Sequence, residues 1–419
     1  MLHKRQLLIA GYGSALLGAT AGLWPDLAAA QPAGDWGGAQ GYPTGWGPPG
    51  QMSRWEGYPA YRAGNYSGGF EAMFRHHLIA APAPAQVSPL QATPVAVNYR
   101  WGFGRRGVQD YLDQWPVSGL LIARQGRVLS EHYRFGRDAS MRLTSWSMAK
   151  SVTSLLVGIA LDQGLIRSLD DLPQDYVPEL QGRLHGQVPL RHLLNMSSGS
   201  DVVHERDSVR IDGPALLGWP QARTVGTDVN RVVRGWRGKL EAPGVRYNYN
   251  ELCPLAMGMV LRAVSGGSLA QFAQTQLWQP MGAEADASWL TDALGREYNC
   301  VGFAARLRDW ARLGQLVAQQ GEMGGRQIVS KAWLTDCASH GPQDAQVRYG
   351  TMRADMGYKN FFWHPRPGGT WLMMNGHHGQ RVLVDRASQT VLVQTALSHE
   401  GPWQRELFAL FEAATAMQG

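Results

Sequence analysis

β-rich runs stand at two widely separated places in this 419-residue chain, and most of what lies between them reads as helix. The first place, "SGLLIARQGRVLSEHYRFG" (118–136), holds two β-rich stretches on either side of "RQGR", which is a hairpin signal. The second holds "QRVLVD" (380–385) and "QTVLVQTAL" (389–397), with "RAS" between them. Helical patterns fill the interval, among them "CPLAMGMVLRAV" (253–264), "LAQFAQTQLW" (269–278) and "FAARLRDWARLGQLVAQQG" (303–321). A short helix pattern, "GVQDYLDQW", precedes the first strands, and the amphipathic "WQRELFALFEAATAMQ" closes the chain. This order predicts an α/β fold of the α+β kind: an antiparallel sheet assembled from both chain ends, flanked by helices, with a mainly helical region inserted at about 165–345. A chain of this length can bury a sizeable core without metal or disulfide staples.

The outer segments set the domain plan. Residues 1–30 begin with His3, Lys4 and Arg5, continue through the apolar "LLIAGYGSALLGATAGL" and reach "AAA" before Gln31. They read as a signal peptide cleaved after Ala30, which places the mature protein in the periplasm or outside the cell with no stable membrane anchor. Residues 31–95 are a Gly-, Pro- and Trp-rich arm whose composition cannot build a core of its own. Residues 96–419 are then one compact domain. The chain carries 39 Lys+Arg against 33 Asp+Glu, but the arginines are scattered and form no basic run, so nucleic acid is not an expected partner. Cys253, Cys300 and Cys337 match no metal or redox spacing and are read as structural. No His-Glu-x-x-His pattern is present, so neither a metal nor a cofactor is expected.

Lysine is rare here: beyond Lys4 only Lys150, Lys239, Lys331 and Lys359 occur. One of them stands three residues after Ser147 in "LTSWSMAKSVTSLLVGIALDQG" (143–164), where a polar approach runs into a long apolar helix pattern. Residues three apart share a helix face, so the Lys150 amine reaches the Ser147 hydroxyl. Burial and the positive helix N-terminus lower a lysine's pKa, which makes Lys150 a base and Ser147 an activated nucleophile. In "APGVRYNYNEL" (242–252) a Pro-Gly turn leads to Tyr247 and Tyr249, and a tyrosine beside such a pair can relay protons. In "NGHHGQRVLVD" (375–385) Gly376 and Gly379 flank His377 and His378 at the mouth of a β run, where backbone approaches a ligand closely. The Gly-x-Ser-x-Gly elbow that exposes a nucleophilic serine in the α/β-hydrolases is absent.

Taken in order, Ser147-Met148-Ala149-Lys150, Tyr249-Asn250-Glu251 and His377-His378-Gly379 resemble the motifs of the serine β-lactamase and penicillin-binding-protein superfamily. The chain is most similar to the class C-related esterases and the 6-aminohexanoate-dimer hydrolases, through "WEGYPAYRAGNYSGGF", "LRHLLNMSSGSD", "RDWARLGQLVAQQG" and "GHHGQ" as well. The resemblance covers residues 54–415. It implies Ser147 as the acylated nucleophile, Lys150 as its base and Tyr249 as the proton donor to the leaving group. It also implies an oxyanion hole from the backbone N–H groups of Ser147 and Gln380, and puts His377, His378 and Gly379 at the position of the family's Lys-Thr-Gly strand.

Two departures from that pattern shape the expected substrate. Glu251 stands where the family commonly has Asn or Ser, and it can recruit a substrate ammonium, bind Lys150 or point away. The Lys-Thr-Gly lysine that grips the carboxylate of β-lactams and peptidoglycan stems is missing, which disfavours antibiotic hydrolysis. The expected function is an exported serine hydrolase of small esters or amides working through an acyl-serine. A cell-wall D-peptidase or penicillin-binding protein is the first alternative, with Arg381 as substitute carboxylate binder. A non-catalytic cell-wall ligand-binding protein of the same fold is the second. The partner is a small-molecule substrate, and the oligomeric state stays open.

Overall fold

A computed structural model describes residues 75–135, 137–204, 207, 228–339, 356–366, 369–397 and 402–417. The predicted signal peptide and the Trp-rich part of the arm lie outside the described residues. The centre is an eight-stranded sheet built from both halves of the chain. Its strands are β1 (Gln91–Ala92), β2 (Val117–Arg124), β3 (Arg127–Tyr133), β4 (Gly357–Lys359), β5 (Phe362–His364), β6 (Trp371–Gly376), β7 (Gln380–Asp385) and β8 (Thr390–Ala396). Their order across the sheet is β4-β5-β6-β7-β8-β2-β3-β1, antiparallel throughout except for the β1–β3 edge pair. The join between the halves is the β8–β2 pair, where Leu392 faces Ile122.

Local chemistry explains the two hairpins nearest that join. Between β2 and β3 the loop is two residues, Gln125 and Gly126, both at positive φ (49° and 79°), the turn whose twist matches paired strands. β7 and β8 are buried along their whole length. Their near-continuous Val/Leu runs fit strands covered on both faces. Five helices matter for the site and the sheet: α1 (Val108–Gln114), α2 (Met148–Asp162), α3 (Leu252–Ser265), α4 (Leu307–Ala318) and α5 (Trp403–Thr415). On one face Tyr111 of α1 donates to Gln394 of β8 at 2.6 Å, and Trp371 of β6 packs edge-on against Phe411 of α5 with ring centroids 4.7 Å apart. On the other, α4 lies against β7, β8 and β2. Glu406 of α5 gathers Tyr99, Arg106 and Trp115, which ties the segment before the sheet to the last helix.

Two features depart from the sequence-based expectation: where the arm ends, and strands within the mainly helical region. His76–Ile79 pairs with Ala287–Leu290, and β1 pairs with β3, so the end of the arm belongs to the fold. Ile79 is fully buried there. The region between the sheet halves is not all helix, because Ala287–Leu290, Phe303–Ala305 and Leu143–Thr144 join His76–Ile79 in a second, four-stranded sheet. The alanines of "FAARL" disguise the Phe303–Ala305 strand as the opening of α4. All three cysteines are buried free thiols.

One buried group makes the fold sensitive to acid. His185 is fully buried, neither ring nitrogen has a hydrogen-bond partner among the described residues, and burial pushes its pKa down from 6.5 to about 4. The folded state therefore binds fewer protons than the unfolded state in this window. The stability that depends on a neutral His185 is complete above pH 6.5 and is lost as pH falls toward 4. At pH 4.5 the loss is about 3 kcal/mol. Urea melts at pH 7 and pH 4.5 check this: a His185→Leu variant should lose about 3 kcal/mol less than the parent over that interval.

Candidate active site

The N-terminal end of α2 is where the two sheets and the helices meet. Ser145 donates its N–H to the Phe303 carbonyl at 2.9 Å, anchoring the approach. Trp146 follows at φ 45°, a left-handed backbone that a bulky residue adopts only when its surroundings enforce it. That turn delivers Ser147 to the N-cap of α2, half-buried and accessible, with Lys150 one turn further on. Among the described residues the Ser147 N–H has no acceptor.

Lys150 is only 1% exposed, and three oxygens stand within 3.1 Å of its nitrogen. Nζ lies 2.9 Å from Ser147 Oγ, 3.1 Å from the Cys300 carbonyl and 2.6 Å from Glu251 Oε2. The predicted Ser-x-x-Lys contact is thus present, but its charge state differs from the sequence expectation. Burial pushes the Lys150 ammonium pKa down; the Glu251 carboxylate, with Tyr249 and Cys300, outweighs that and holds it above its ordinary value. Of the three roles open to Glu251, the structure selects the contact with Lys150. At 4% exposed and already paired, it is not placed as a receptor for a substrate ammonium.

The loop before α3 brings Tyr249 and Glu251 to this point. Asn250 accepts the Cys253 N–H at 3.2 Å and donates to the Asn248 carbonyl at 2.7 Å, fixing the helix start between the two. Lys150 Nζ stands 4.9 Å from the Tyr249 ring centroid, within cation–π range. Burial raises the phenol pKa, while hydrogen bonding and charge from Lys150, and hydrogen bonding from Ser147, oppose the rise. Tyr358 of β4 and Trp363 of β5 wall the ring, at centroid distances of 6.1 and 5.8 Å. His204 lies edge-on at 5.7 Å. Neither Tyr358 nor Trp363 was marked by the sequence, because each looks like an ordinary strand aromatic.

The histidine motif lies beside the serine, though not in the form expected. His377, His378 and Gly379 form a tight turn between β6 and β7 instead of a strand segment. The strand residue that meets the serine loop is Gly376: a Cβ there would sit 2.1 Å from the Ser145 carbonyl oxygen. His377 packs edge-on against Trp146 at 5.4 Å and His378 at 6.3 Å.

Two expected roles are corrected here. The Gln380 N–H, proposed as an oxyanion donor, already bonds the His377 carbonyl, while the Gln380 side chain bridges to Ala396 at 2.7 Å. Arg381, proposed as a carboxylate binder, is buried and directs its guanidinium at the Gly376 and Gln380 carbonyls (2.5 and 2.7 Å) and at Gln404. It pins the hairpin and covers Trp403. Among the described residues no three His, Cys, Asp or Glu side chains are grouped to hold a metal ion.

The arrangement places a hydroxyl, an amine, a phenol and a carboxylate in one contiguous chain of contacts, which suits nucleophilic attack with proton transfer. A family model described as Beta-lactamase matches residues 105–401. A 6-aminohexanoate-dimer hydrolase of Paenarthrobacter ureafaciens is 24% identical over 294 residues, covering 68% of this chain and 74% of the relative. A Bacillus anthracis protein described as a 6-aminohexanoate-dimer hydrolase superposes with a TM-score of 0.75 at 19% identity, over 84% of this chain and 93% of that one. EstCE1, a hydrolase with promiscuous acyltransferase activity, gives 0.57 at 18% identity, over 74% and 96%. At these identities the structural likeness speaks to the fold.

Proposed function

The chain belongs to the Beta-lactamase family, whose model spans more than half its length, and from that premise we propose that it is a serine hydrolase of small esters or amides working through an acyl-enzyme. The observation that carries this reading is Lys150 Nζ held 2.9 Å from Ser147 Oγ, with Tyr249 beside both. Ser147 Oγ attacks the substrate carbonyl as its proton passes to the Lys150 nitrogen, and Tyr249 returns a proton to the departing alcohol or amine. The hydrolytic water then runs the same path in reverse. The Ser147 N–H at the positive end of α2 is the donor for the developing oxyanion, a term of roughly 3 to 4 kcal/mol per donor in such sites.

One relative is named for hydrolysing a 6-aminohexanoate dimer and a structural neighbour for hydrolase and acyltransferase activity, which favours acyl transfer from an amide or ester carbonyl flanked by aliphatic chain. The aromatic wall of Tyr249, Tyr358 and Trp363 supports that choice. A D-peptidase reading needs a cation for the substrate carboxylate, and Arg381 is occupied by backbone carbonyls.

The test uses p-nitrophenyl acetate and butyrate together with a fluorophosphonate trap read by intact mass. The parent protein is expected to turn over the esters and gain one adduct, and Ser147→Ala to do neither. Equal residual rates in the two proteins without an adduct would overturn the proposal.

A further inference from the structure

Resting on the serine-hydrolase reading, the geometry points to a further role: we propose that Glu251 is a proton store that frees Lys150 to act as base. The starting point is a conflict. A base must have a free electron pair, yet the Lys150 nitrogen donates to Ser147 Oγ and to the Cys300 carbonyl, and its closest neighbour is a carboxylate oxygen buried with it at 2.6 Å. In a dry site of this kind a proton can sit on either partner of the pair, so the same proton count serves as an ion pair or as amine and carboxylic acid.

The step balances without any outside reagent. Lys150 passes one proton to Glu251 Oε2, leaving a neutral amine and a carboxylic acid. The amine takes the Oγ proton as Oγ bonds to the substrate carbonyl carbon, and the C=O electron pair moves to oxygen. When the intermediate collapses, the leaving group departs with a proton supplied by Lys150 through Tyr249. Glu251 then returns its stored proton to the amine, and the ion pair is restored. Glu251 touches no reacting atom and works entirely through Lys150.

The groups that face the pair come from every element around it. Tyr249 comes from the loop before α3, Cys253 from α3, Cys300 from the segment before Phe303–Ala305, and Tyr358 from β4. Burial raises the pKa values of Tyr249, Cys253 and Tyr358, so these stay neutral around pH 7 and leave the carboxylate as the acceptor.

The experiment is the rate of fluorophosphonate labelling of the full chain from pH 5 to pH 10, read by intact mass and independent of the natural substrate. In the parent protein the pair keeps its one mobile proton across neutrality, so the rate is flat from about pH 6 to pH 9. In Glu251→Gln the lysine must lose its proton to solvent before it can act. The acid limb then moves up by about two pH units or more, and at pH 6 labelling slows about a hundredfold. Glu251→Asp restores the flat profile, at a lower rate. A Glu251→Gln protein that keeps the parent's pH profile at any absolute rate, or that labels faster at pH 6, overturns the proposal. So does a parent acid limb above pH 8, a readout that needs no variant to fold. A parent protein that takes no adduct on Ser147 sinks the hydrolase reading, whereas normal labelling with an unmoved Gln profile sinks only the role of Glu251.

Discussion

A Lys150→Met protein is expected to acylate Ser147 roughly 10²- to 10⁴-fold more slowly and to be destabilised by about 3 kcal/mol at the same time. The two effects have separate origins. The kinetic loss follows from removing the nitrogen 2.9 Å from Ser147 Oγ. The loss of stability follows from Glu251, which is left with a buried carboxylate and no counter-charge. A double variant, Lys150→Met with Glu251→Gln, separates them: its urea midpoint returns most of the way to the parent value while its labelling rate stays low. Recovery of the rate in the double variant would mean that Lys150 matters only as the partner of a buried charge.

Gly376→Ala is the second large effect, and it probes backbone placement in place of chemistry. The added methyl would sit 2.1 Å from the Ser145 carbonyl oxygen and 2.9 Å from the Cβ of Gln380, its partner across the β6–β7 pair, and neither atom can swing away as a flexible side-chain tip would. Relief requires β6 and the Ser145–Trp146 turn to move apart, and that turn sets where Ser147 stands. A displacement of about 1 Å at a reacting atom is worth about 100-fold in rate, so ester turnover should fall by that order. The overpacking itself costs about 1–3 kcal/mol. Gly235→Ala, where a Cβ meets nothing within 4 Å, is the control and should leave turnover unchanged. Unaltered turnover in Gly376→Ala would show that the β6 edge and the serine turn are not rigidly coupled.

The parts of this molecule that could be read from sequence are those set by short-range chemistry. The β2–β3 hairpin was legible because Gln-Gly fits a two-residue turn. The Ser147–Lys150 contact was legible because helix geometry alone brings residues three apart together. What could not be read depends on partners from elsewhere in the chain. Helix position and burial argue for a lowered lysine pKa, and burial does push it down. The sign reverses because Glu251 arrives from the start of another helix. Arg381 looks like a free cation beside a glycine-rich motif, and only the folded hairpin shows that two carbonyls claim it. Gln380 has a backbone N–H in a plausible place, but the turn geometry that engages it is set by His378 at φ 53°. The Phe303–Ala305 strand was hidden because three residues, two of them alanine, carry too little β preference to stand out beside an amphipathic helix.

Ser147 and Lys150 belong to the first helix after the β2–β3 hairpin, Tyr249 and Glu251 to the start of α3, and Gly376 to a strand near the far end of the chain. No continuous segment therefore contains a working site, and contacts of such long sequence separation close late in folding. During refolding, secondary structure and a collapsed core can return while esterase activity is still missing, so turnover becomes a clock for the final docking of the three segments. A chain stalled before the late strands join would be helical, compact and inert.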